Sequence, residues 1–167
     1  HEIFHIVEKR DHVYSKFCNS VNLPENPRTL EALVDIMAGL YFGPAYTSAL
    51  VQQLKKRYPL SGKRHPEINV RVLSLSYLQM IQAPKFASDE IKTLNEFVSL
   101  IESRMDEESK KRAQEDKKNL ERMFENKVIE YIWTYFKSKN VTSYKDFLEV
   151  ETRESHADID RLNKNKI

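Results

Sequence analysis

The chain has 167 residues, 40% apolar and 31% charged, with a formal charge of +2 and three glycines. That length can bury a core without metal or disulfide staples, and the small net charge excludes a global polyanion binder, leaving any nucleic-acid contact to a local patch. Neither glycine nor proline occurs from Lys85 to Ile167, which leaves little room for phosphate-cradling loops or tight β-turns and argues for helices joined by short connectors.

The lone cysteine, Cys18, excludes an internal disulfide and a cysteine-built structural zinc site, and suits a reducing, intracellular setting in cytoplasm or nucleus. No apolar run reaches the ~18 residues of a membrane span, and the amino end has no signal-peptide pattern. The chain opens inside a helical pattern at Glu2–Ile3, as an excised fragment would.

In chain order, residues 3–18 read as one amphipathic helix, with Ile3, Ile6, Val7, Val13, Tyr14 and Phe17 on a broad arc. Asn26 followed by Pro27 is a helix start, and Gly43–Pro44 is a stop. Between them Leu30, Leu33, Val34, Met37, Leu40 and Tyr41 form one stripe while Ala32, Ile36 and Gly39 lie on other faces, which makes this helix a candidate for the centre of the core. A shorter helix spans 45–58, and Pro59 to Pro66 is a loop. In 67–82, Ile68, Val70 and Val72 alternate like a strand, whereas Leu75, Leu78 and Ile81 fit a helix. Helix is the reading adopted, because no partner strand exists to satisfy a lone strand's backbone.

Ser88-Asp89-Glu90 opens a further helix through Ile91, Leu94, Phe97, Val98 and Ile101. From Glu102 to Lys127 sixteen of 26 residues are charged, before the apolar stripe returns with Met123, Phe124, Val128, Tyr131, Ile132 and Tyr135. Residues 88–139 therefore form either a projecting helix of ~50 residues or an antiparallel hairpin turning near Ser109–Asn119; the hairpin buries more apolar surface. Asn140 is a stop, Ser143 with Asp146 a capping-box start, and 151–167 a polar, frayed tail. The expected architecture is all-α: about six helices in a stacked antiparallel, HEAT-like or bundle arrangement, forming a single domain over 1–150.

Candidate chemistry is sparse. His1-Glu2-Ile3-Phe4-His5 matches the HExxH zinc-hydrolase pattern, and His12 falls within about 40° of both histidines on a continuous helix. That stripe points away from the apolar arc, so it reads as a solvated histidine face with no metal, no cofactor and no catalytic residue assigned. Glu31 and Asp35, one turn apart, form either a carboxylate pair or a polar helix edge, and the edge is the reading adopted. No nucleophile with its base, Walker loop or dinucleotide fingerprint is present.

Binding residues are easier to nominate. Lys55, Lys56, Arg57, Lys63, Arg64 and Arg71, set against Glu67 alone and joined by Tyr58, form a basic segment able to meet phosphates or an acidic partner. Tyr131, Ile132, Tyr135 and Phe136 read as core, which leaves Trp133 off the stripe as an exposed anchor for a partner.

Two stretches carry family resemblances. His65-Pro66-Glu67-Ile68-Asn69-Val70-Arg71-Val72-Leu73 resembles the start of the inner helix of a HEAT-type repeat, covering one helix with no second copy. This implies a stacked-helix scaffold that presents a surface to partners. Pro27 to Tyr41 is similar to the second signature of ribonuclease III domains. There an aspartate and a glutamate hold magnesium; here the matched positions are Ala32 and Asp35, and the family's first acidic signature is absent, which implies a non-catalytic relative. The function expected is a non-enzymatic protein-interaction or scaffold module, with a helical RNA- or DNA-binding domain using residues 55–71 as the alternative.

Overall fold

The computed structural model describes residues 1–57, 68–82 and 87–142, and these contain eight α-helices and no strand. They are α1 (Glu2–Asp11), α2 (Val13–Val21), α3 (Pro27–Phe42), α4 (Pro44–Arg57), α5 (Ile68–Gln82), α6 (Ala87–Arg104), α7 (Glu107–Glu125) and α8 (Val128–Ser138). The all-α expectation holds. The expected loop at 59–66, the start at Ser143 and the tail lie outside the described residues.

Helix α3 sits at the centre and packs against α1, α4, α5 and α7. Its start is the expected one: the Asn26 side chain accepts from Arg28 N at 2.8 Å, and Pro27 occupies the first turn, where its missing N–H costs nothing. Gly43 ends it at φ 76°. Every residue from Ala32 to Leu40 is buried, so α3 is covered on all sides. Helix α5 lies against α3, α4, α6 and α7, with Val70, Val72, Leu75 and Leu78 buried. The alternation of Ile68, Val70 and Val72 gives no strand, because this helix is buried nearly all round. Its buried Ser74 and Ser76 hydroxyls donate to the Arg71 and Val72 carbonyls of the same helix, so both are satisfied within the helix.

The helix expected over 3–18 is two. His12 adopts a left-handed conformation (φ 51°), and the buried Glu8 carboxylate accepts from Tyr14 N at 2.8 Å, capping α2 from the preceding helix. The break turns α2 toward α8, where Phe17 meets Tyr131. Residues 88–139 form neither one arm nor a hairpin turning at 109–119, but three helices. Asp106 accepts from Ser109 N at 2.7 Å and starts α7, and Lys127 at φ 59° separates α7 from α8. Asn140 stops α8 as expected, in a left-handed conformation with Val141 N donating to Phe136 O at 2.9 Å.

Candidate functional site

Helix α1 lays its first turn across α3, and this crossing gathers the polar side chains of most chemical interest. Asp35 is fully buried and receives Arg71 of α5 in a two-pronged ion pair, Nε to Oδ2 at 2.7 Å and Nη2 to Oδ1 at 2.9 Å. Burial works against the Arg71 charge, but the Asp35 carboxylate outweighs it and raises the guanidinium pKa. Above this pair sits His1, whose Nε2 lies 3.5 Å from Asp35 Oδ1 and 3.5 Å from Glu31 Oε2. His5 Nε2 approaches the same Glu31 oxygen at 3.4 Å. The two imidazoles meet edge-on with centroids 4.6 Å apart.

The Glu31 carboxylate raises the His1 pKa; burial opposes it, and the charge of Asp35 adds to the rise. Nearby, burial raises the Tyr46 phenol pKa, with the Asp35 charge acting in the same direction. Its hydroxyl is buried without a hydrogen-bond partner. One ligand atom each from His1, His5 and Glu31 lies within 4.8 Å of the others, a set able to hold a metal ion.

The histidine face is therefore not fully solvated, and Asp35 is no polar edge. His12 does not join the other histidines, because the helix ends before it. Spacing alone had located His1, His5, Glu31 and Asp35; what it missed was that α1 docks on the Glu31 side of α3. The buried acid inside an apolar helix, with an arginine beginning the α5 stripe, was the only sequence signal for the ion pair.

A second feature borders this cluster. Ile3 and Ile6, 61% and 69% exposed, share the outer face of α1. Phe4 between them turns inward against Tyr41, Phe42 and Phe136. Tyr41 and Phe42 are themselves exposed at the end of α3, and Phe42 stacks on Tyr46.

Of the nominated binding residues, Lys56, Arg71 and Trp133 have described side chains. Lys56 is exposed on α4, while Arg71 is occupied by Asp35. Lys55 and Arg57 belong to α4, but nothing of their side chains is described, and Tyr58, Lys63 and Arg64 lie outside the described residues. Trp133 is half-buried and packs against the core cluster. Cys18 is buried, and burial raises its thiol pKa, which disfavours the thiolate a nucleophile needs. No helix among the described residues is long and apolar enough to cross a membrane. Comparison of the chain with protein-family models, curated proteins and solved structures finds no match.

Proposed function

We propose that this chain is a non-enzymatic helical module that binds a protein partner through the apolar rim of α1 and the end of α3. The supporting observation is the exposure of Ile3 and Ile6 on α1 and of Tyr41 and Phe42 at the end of α3, two helices that meet through Phe4. Covering an exposed isoleucine is worth roughly 1.5–3 kcal/mol, so two aliphatic and two aromatic side chains suffice for the centre of a small interface. The partner suited to this rim is the apolar face of an amphipathic helix. The ribonuclease III likeness fits the non-catalytic reading: Ala32 has no ligand atom, and Asp35 is engaged by Arg71.

The test is affinity purification with the wild-type chain and with an Ile3→Asp/Ile6→Asp variant matched for helicity. The expected result is loss of the co-purifying protein with the variant. An unchanged set of partners overturns the assignment.

The second reading, a nucleic-acid-binding domain, draws on the exposed Lys56 at the end of α4. Changing Lys55, Lys56, Arg57, Lys63 and Arg64 to glutamine is then expected to weaken oligonucleotide binding and flatten its salt dependence. A wild-type affinity that ignores salt eliminates it.

A further inference from the structure

The geometry points to a binding site for a divalent transition-metal ion of the zinc class, held by His1 Nε2, His5 Nε2 and a Glu31 carboxylate oxygen. This departs from the sequence expectation of no metal, and it is independent of the apolar rim.

Three observations carry it. The first is spacing. Four ligands at about 2.1 Å from a tetrahedral ion stand roughly 3.4 Å from one another. Both imidazole nitrogens lie at that separation from the Glu31 oxygen, 3.5 Å for His1 and 3.4 Å for His5. An N–H···O hydrogen bond prefers 2.7–3.2 Å, so the arrangement is loose for direct contact and right for an ion between the atoms.

The second is the state of His1. Its Nε2 is sealed from solvent without a hydrogen-bond partner, although two carboxylates stand 3.5 Å away. Its Nδ1 faces Glu2 Oε1 at 3.3 Å. The exposed Glu2 carboxylate is too loosely placed to fix the tautomer, but its position beside Nδ1 favours the proton there and leaves the Nε2 lone pair for a metal. The third is scaffold: His1 and His5 are one turn apart at α1, while Glu31 projects from a different helix. Binding would therefore pin α1 to the central helix.

Imidazole donors favour zinc-class ions over magnesium, which prefers oxygen. Asp35 is not a fourth ligand, since Arg71 engages both its oxygens; it holds the guanidinium below the site. The partial exposure of His5 and Glu31 leaves the fourth position to water.

Titrating the metal-free full chain with Zn²⁺ by calorimetry, with Mg²⁺ as control, tests the site; Co²⁺ reports geometry through its visible d–d bands. One equivalent of Zn²⁺ is expected to bind, Mg²⁺ is not, and Co²⁺ is expected to show tetrahedral or five-coordinate absorption. His5→Ala and Glu31→Gln, each with wild-type helicity by circular dichroism, are expected to weaken Zn²⁺ binding at least about tenfold. Glu31→Gln removes one charge from a side chain that is 13% exposed and keeps the shape, so it reports even if His5→Ala unfolds. Absence of stoichiometric binding overturns the site. So does binding that survives both substitutions, because that would trace the metal to donors other than His5 and Glu31.

Discussion

Arg28, in the first turn of α3, and Asp116, midway along α7, form a two-pronged ion pair between positions 88 residues apart. Arg28 Nε stands 3.0 Å from both Asp116 oxygens, and Asp116 is buried. The pair lets a charged helix lie against the central one: α7 turns Ala113, Leu120 and Met123 to the core and brings its one deeply buried acid to a waiting guanidinium.

Removing one partner leaves the other charge buried and unpaired. Arg28→Met is therefore expected to cost about 3 kcal/mol, while Arg28→Met/Asp116→Leu restores most of the loss. Urea unfolding of the two single variants and the double variant measures the coupling. Strictly additive losses would refute it.

The His1 cluster makes stability depend on pH. His1 is raised above its ordinary 6.5 by Glu31 first, against burial, with Asp35 adding to the rise and Arg71 opposing it. The native state therefore holds its proton more tightly than the unfolded chain. The stabilisation is fully present below pH 6.5 and is lost as pH rises through the higher folded value. Glu31→Gln is expected to flatten this decline in urea midpoints taken between pH 6 and 9 in a metal chelator. A decline of unchanged steepness would assign the effect elsewhere.

Gly39 faces the α5 stripe, and a Cβ built there would lie 2.7 Å from Leu78 Cδ1, a fully buried side chain. Gly39→Ala gains roughly 1 kcal/mol in helix propensity and loses about 1–3 kcal/mol to overpacking, so a small net loss is expected. Gly39→Leu gains the same propensity and cannot fit. Thermal melts are expected to show a modest drop for the first and a large one for the second.

Lys127 holds a left-handed conformation (φ 59°) at an exposed junction between α7 and α8 and makes no side-chain cap. Glycine takes this conformation without Cβ strain, so Lys127→Gly is expected to stabilise the fold by up to ~1 kcal/mol. Lys127→Val, branched at Cβ, is expected to destabilise by a similar amount or more. Urea midpoints in that order check the assignment; the reverse order contradicts it.

How far the chain could be read depended on whether a signal was local. The start of α3 is a cap residue followed by proline, and its end is a glycine; both act through backbone atoms within a few residues. The helix at 68–82 required only the argument that no strand was available to pair with it. The break at His12 was not readable, because the group that caps α2 is a glutamate of the preceding helix, buried only once α1 and α2 fold together. The junctions at Asp106 and Lys127 escaped for a related reason. The charged stretch has strong helix propensity throughout, and what bends it is the chance for α6, α7 and α8 to reach different faces of the core.

The same division applies to the site. His1 and His5 share a face because of their spacing, and Glu31 and Asp35 do so for the same reason, so composition and periodicity alone determined the all-α class and these two pairs. Only tertiary packing decided that the pairs meet, that Arg71 closes on Asp35 rather than facing solvent, and that Ile3 and Ile6 stay uncovered. Helical periodicity is written in hydrogen bonds four residues apart, whereas the crossing of α1 over α3 depends on shapes brought together from distant parts of the chain.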